Sequence, residues 1–227
     1  MKFADSLLII AGATLAGCTT TSQLEKFKDL EGKQSYAAIE SQQISPSCFS
    51  GSTPSEECAQ LTEIQGRACL TLARQEAAPN AACPPPTDSA KRRLQCAAQN
   101  FAVAQKGSSF SADDVNNMIE MRARALYCGA TFKTRADGLP DAREATRQLD
   151  TLPETAARDQ LAAATLLYVA NDEQLMPGER CNAARQAVAR ANRGLGASPS
   201  ESVQQGLKDT MAHARSVASS LTDCQVP

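Results

Sequence analysis

Nine cysteines and a single histidine are the residues of this 227-residue chain with the most chemistry to offer. The cysteines are Cys18, Cys48, Cys58, Cys69, Cys83, Cys96, Cys128, Cys181 and Cys224. None forms a Cys-x-x-Cys pair, and the spacing is too wide for the converging ligands that zinc requires, which argues against a metal site. Setting Cys18 apart leaves eight, an even number that reads as four disulfides in an oxidising compartment. His213 falls opposite the apolar stripe of the last amphipathic segment, which makes it a solvated residue rather than a general base. Acid pairs such as Asp113-Asp114 and Glu56-Glu57 sit where helices begin, and there they offset the helix dipole. No nucleophile elbow, phosphate loop or His-Glu-x-x-His occurs. The one marked charge cluster is Arg180, Arg185, Arg190 and Arg193, on one helical stretch. Arginine suits bidentate carboxylate or phosphate contacts, so these four are a candidate anion or partner-binding site, set against the plainer reading of a solvated face with local ion pairs. No cofactor is implied.

Composition narrows the class. Trp is absent and aromatics are 4% of the chain, which gives little material for stacking platforms. The net charge is −2, and no nucleic-acid partner follows from that balance. Alanine dominates the apolar set and β-branched runs are rare, which favours closely packed helices.

The elements that position these residues read as helices. Thr53-Pro54-Ser55-Glu56 and Ser198-Pro199-Ser200-Glu201 look like capping boxes with proline at the first helical position. Ser111-Ala112-Asp113-Asp114 and Thr151-Leu152-Pro153-Glu154 are looser versions. Apolar residues then recur at helical spacing: Leu61, Ile64, Ala68, Leu72; Val115, Ile119, Ala123, Leu126, Ala130; more weakly Leu161, Thr165, Tyr168; and most clearly Val203, Leu207, Met211, Ala214, Ala218, Leu221. Partner helices are expected over Asp88 to Lys106, and from Leu139-Pro140 and Met176-Pro177. These last two starts look alike, and Leu126-Tyr127 and Leu167-Tyr168 precede them. The pattern is a weak internal repeat of helix pairs, with a period near the roughly 34–45 residues of helical solenoids. The fold class expected is all-α: antiparallel hairpins in a short solenoid or an irregular bundle, stapled by disulfides. In architecture it resembles the tetratricopeptide class.

Antiparallel helices narrow the 105 possible pairings of eight cysteines. Cys69 and Cys96 lie at nearly equal distances from a turn near Ala82. Cys181 opens one helix and Cys224 follows the end of the next. Cys83, in the first hairpin loop, lies at the end where Cys128 closes the next helix, and Cys48 and Cys58 remain to close a short loop. The hypothesis is Cys48–Cys58, Cys69–Cys96, Cys83–Cys128 and Cys181–Cys224.

The start of the chain suggests a location. Met1-Lys2 is followed by an apolar stretch, Ser6 to Ala16, too short to span a bilayer and of the length of a signal-peptide core. Leu15-Ala16-Gly17-Cys18 resembles the lipobox of bacterial lipoproteins. The resemblance implies a cleaved leader, 1–17, diacylglycerol on Cys18, and, with Thr19 rather than Asp following, an outer-membrane anchor facing the periplasm. Residues 18–47 read as a polar tether and 48–227 as the disulfide-rich helical domain. A lipid-anchored helical array without a catalytic set points to a non-enzymatic scaffold or assembly factor, partnered with an envelope or secretion-system protein. The alternatives are a cell-wall or lipid-modifying enzyme, and a periplasmic inhibitor or immunity protein.

Overall fold

Hydroxyl side chains set where the helices begin. The computed structural model describes residues 11–79 and 81–226, with side chains from residue 20 onward. The leader residues 1–10 and the Cys18 side chain lie outside that description. All regular structure among the described residues is helical: α1 (Ala11–Gly32), α2 (Tyr36–Glu40), a 3-10 turn (Pro46–Phe49), α3 (Glu56–Gln75), α4 (Asp88–Ala104), α5 (Ala112–Thr131), α6 (Arg135–Leu149), α7 (Ala156–Ala170), α8 (Pro177–Gly196) and α9 (Glu201–Ser219). The Ser111 hydroxyl accepts the Asp114 N–H at 3.2 Å, and the Asp114 carboxylate accepts the Ser111 N–H at 3.3 Å, the reciprocal box expected there.

Four expected starts shift. The caps of α3, α7 and α9 are Ser55, Thr155 and Ser200 rather than Thr53, Thr151 and Ser198. Burial sets that register in α3 and α7: Ser55 stands one turn before buried Cys58, and Thr155 one turn before buried Asp159. The fourth shift is α6, which begins at Arg135 and carries Pro140 inside it, whereas Pro177 does open α8. The start of α6 is fixed instead by Thr134, whose hydroxyl accepts the Asp137 N–H at 3.3 Å and donates to the Asp137 carboxylate at 2.7 Å.

Successive helices pack antiparallel. Bonds at both ends establish this: the Thr87 and Ser89 hydroxyls reach Glu76 where α3 meets α4, and Gly107 lies against Ala59 at the opposite end. Helices α3, α5, α7 and α9 also touch one another in turn, with α4, α6 and α8 flanking them. The result is a short stack of hairpins, with α5, α7 and α9 starting at intervals of 44 and 45 residues. Alanine makes the stack close. Ala97, Ala104, Ala142, Ala184 and Ala187 are wholly buried at helix contacts, where longer side chains would hold the axes apart. The weak stripe of α7 has a simple cause: the helix is buried on several faces, between α6, α8 and α9.

The segment 18–47 is not a free tether. Leu24 and Phe27 of α1, Ile39 of α2 and Ile44 pack on Leu61, Ile64 and Ala68 of α3 in one apolar cluster. Leu24, Phe27, Leu30 and Ile39 look scattered in sequence because they come from two helices, α1 and α2, folded against a third.

The bridges are Cys48–Cys58, Cys69–Cys96, Cys83–Cys128 and Cys181–Cys224, the pairs that hairpin geometry selects. Cys83–Cys128 ties the first hairpin to the second. Cys181–Cys224 ties α8 to the segment after α9. Among the described residues, no bridge spans the interval between Cys128 and Cys181.

Candidate functional site

The four arginines of α8 do not gather into a pocket. Arg180 donates through Nε to the Ala170 carbonyl at 3.0 Å, and Arg185 through Nε to the Gln225 carbonyl at 2.7 Å. Arg190 and Arg193 converge on Asp159, which is 2% exposed, with Arg193 Nε at 2.9 Å from one carboxylate oxygen. Arg190 also pairs with Asp150 and Arg193 with Glu154. Thirteen residues of helix separate Arg180 from Arg193, about 20 Å. These guanidinium groups hold α8 to its neighbours, and Asp159 in turn holds the Arg193 guanidinium above its ordinary pKa. Arg122 likewise reaches across to α6, pairing with Glu144 at 3.3 Å, whereas Arg124 lies 3.9 Å from Glu120 within its own helix. Burial pushes both downward, though both stay charged at neutral pH. His213 is exposed on α9.

A cleft lies elsewhere, between α4 and α5, with a volume of about 580 Å³. That is within the range of small-molecule and peptide pockets. Leu94 and Ala98 of α4 and Ala125 and Leu126 of α5 give it an apolar floor, closed at one end by Phe132. Lys91, Gln95 and Gln99 line one rim. Lys133 stands on the other, its ammonium donating to Asp141 of α6 at 2.6 Å. Gly129 opens the cleft: a Cβ built there would meet nothing within 4 Å. Leu94 and Ala98 were legible only as the inward face of a helix. The signal for an opening was the isolated glycine near the end of α5, since a helix keeps a glycine at a cost that usually has a packing reason.

A smaller, more polar cleft of about 350 Å³ lies between α3 and α5, lined by Glu63, Arg67, Phe110, Asp114, Asn117, Met118 and Met121. Burial pushes the Glu63 carboxyl above the usual glutamate value, against the opposing pull of Arg67, whose Nε is 2.6 Å away. Asp114 is engaged in the cap of α5. Among the described residues no group of three or more His, Cys, Asp or Glu is placed to hold a metal, and no helix is long and apolar enough to cross a membrane.

Fold and clefts together define a class: an all-α, disulfide-stapled array of helical hairpins with an open apolar-floored cleft. No protein-family model matches the chain, and no curated protein matches it in sequence. One solved structure, that of the yeast histone chaperone Hif1, described as a scaffold protein recruiting protein complexes to core histones, is similar over 93% of this chain and 98% of that one. The identity is 12% and the TM-score 0.44, values too low for the likeness to carry an argument.

Proposed function

We propose that the chain is a lipoprotein anchored through Cys18 in the outer membrane and facing the periplasm, where its helical array binds an envelope or secretion-system protein as a scaffold or assembly factor. The observation that carries the interaction reading is the contrast between spent and unspent surface. The arginines that looked like a binding site are engaged within the fold, whereas the α4–α5 cleft is open, apolar at its floor and rimmed by amides and lysines. Such a surface suits a segment with apolar anchors and a polar edge. The lipobox resemblance supplies the location.

A photo-crosslinking residue in place of exposed Gln99, activated in intact cells before detergent extraction, tests this. Recovery of an envelope protein is expected. Gly129→Leu, which fills the cleft without touching its rim, is expected to abolish that crosslink while leaving the fold intact by circular dichroism. Absence of any crosslinked protein from the cleft overturns the scaffold reading.

One observation favours a second reading, a cell-wall or lipid-modifying enzyme: the raised Glu63 carboxyl shares the α3–α5 cleft with Asp114. Turnover of peptidoglycan fragments by the purified protein, lost in Glu63→Gln, decides for it.

A further inference from the structure

Two large apolar side chains stand out from the described surface, and they lie at opposite ends of the array. Phe49 is 46% exposed and Met176 is 71% exposed. Phe49 closes the 3-10 turn at the end where α3, α5, α7 and α9 begin. Met176 caps α8 at the other end, about 30 Å away along a helix of 20 residues.

The chain before Leu24 arrives at the Phe49 end. Leu24 is buried beside Ile44, Cys48 and Cys58, and the Gln23 side-chain amide donates to the Gln43 carbonyl at 2.8 Å. Six peptide steps separate Leu24 from Cys18. They span about 9 Å as the helix they belong to, and no more than ~20 Å at full extension. A lipid on Cys18 therefore keeps this end within about 20 Å of the bilayer surface. The loop that carries Phe49 is not free to swing away, because Cys48–Cys58 fastens it to the first turn of α3.

We propose that Phe49 and the loop residues 50–55 enter the interfacial layer of the bilayer that holds the Cys18 lipid, so that the array stands on this end with Met176 and the Cys181–Cys224 bridge directed away. The inference rests on the lipid-anchor reading. An aromatic side chain at the headgroup boundary buries its ring and keeps the adjoining backbone wet. The contact is limited to this corner. Glu56 and Glu57, Asp113 and Asp114, and Glu201 occupy the first turns of α3, α5 and α9 at the same end, and their charge opposes close approach of an anionic surface. Zwitterionic lipid is the surface it fits.

The chain contains no tryptophan, so Phe49→Trp and Met176→Trp each carry a single tryptophan, excited selectively over the three tyrosines at the red edge. Both full-length variants, extracted from membranes and reconstituted in phosphatidylcholine vesicles with and without brominated acyl chains, report depth directly. Expected is a blue-shifted emission and strong bromine quenching for Phe49→Trp, with neither for Met176→Trp. Ser52→Trp, at the exposed loop tip, replaces the first variant if the bridged loop is disturbed. Intact mass reads the lipid separately. Water-like, unquenched emission from the loop on a chain whose mass carries the lipid overturns this inference and leaves the anchor standing. Quenching of Met176→Trp in place of the loop residue overturns it too, because the orientation is then reversed. A mass without lipid removes the anchor reading and this inference with it.

Discussion

Asp159 shows how much one buried carboxylate organises. Two guanidinium groups from α8 meet it, and through them α8 is held to the start of α7 and to Asp150 at the end of α6. Asp159→Ala leaves both arginines without their buried partner, and a loss of about 2–3 kcal/mol is expected from urea unfolding. Two glycines give opposite expectations. At Gly138 a Cβ would fall on the Tyr168 hydroxyl and 2.6 Å from the Ala130 carbonyl, which that hydroxyl itself engages at 3.0 Å. Gly138→Ala breaks this contact between α5, α6 and α7 and is expected to cost about 2 kcal/mol or more. Gly129→Ala places its methyl in open space within a helix and is expected to gain about 0.5–1 kcal/mol. The paired melting curves check both. Glu76 offers a pH test. Hydrogen bonds from Thr87 and Ser89, then from Arg93, hold its carboxyl below the ordinary value of 4.5. A depressed pKa contributes stability that is complete above the unfolded value and is lost as pH falls through the folded one. Glu76→Gln is therefore expected to lower the urea midpoint at pH 7 and to differ little from the parent near pH 2.

At the scale of elements, the disulfide map was legible because antiparallel hairpins equate sequence distance from a turn with height along a helix. Cys69 and Cys96 meet for that reason. Replacing both Cys83 and Cys128 by Ala frees the first hairpin from the second, with an expected loss of about 2–4 kcal/mol. Equal denaturation midpoints for variant and parent would be the contrary result. Helix existence was legible from periodicity, but starts were less so. Thr134-Arg135-Ala136-Asp137 carries as good a cap as any in the chain, and it was eclipsed by the more conspicuous Pro140. The packing of α1 and α2 was hidden for a different reason. Leu24, Phe27 and Leu30 mark one face of α1, but Ile39 and Ile44 come from α2 and the loop after it, so no single stripe joins them. The cleft was least legible of all: its floor residues look like core in sequence, and Leu94 and Ala125 are indeed buried, so only the arrangement of α4 beside α5 shows that a cleft lies over them. The arginines erred the other way, because a cluster along a sequence says nothing of the acids that folding brings to it.

For the whole molecule, the stack combines a thin, alanine-rich interior with covalent reinforcement that is unevenly distributed. The loops closed by Cys69–Cys96 and Cys83–Cys128 overlap, so everything from 69 to 128 forms one cross-linked block. A second block runs from 181 to 224. Between them, α6 and α7 are held by packing, by the Tyr168–Ala130 contact and by ion pairs such as Arg143–Glu179 and Arg158–Glu120. This arrangement has a mechanical consequence. When the chain is pulled from its two ends, the stretch inside a closed disulfide loop cannot lengthen. The longest stretch outside any disulfide loop is the 53 peptide steps from Cys128 to Cys181, which can release about 180 Å of chain at full extension. In single-molecule pulling under oxidising conditions, the dominant rupture is expected to release a length of that order. Added reductant should then free the two blocks and more than double the release. The middle of the array would act as a fuse, yielding while the two stapled blocks keep their shape.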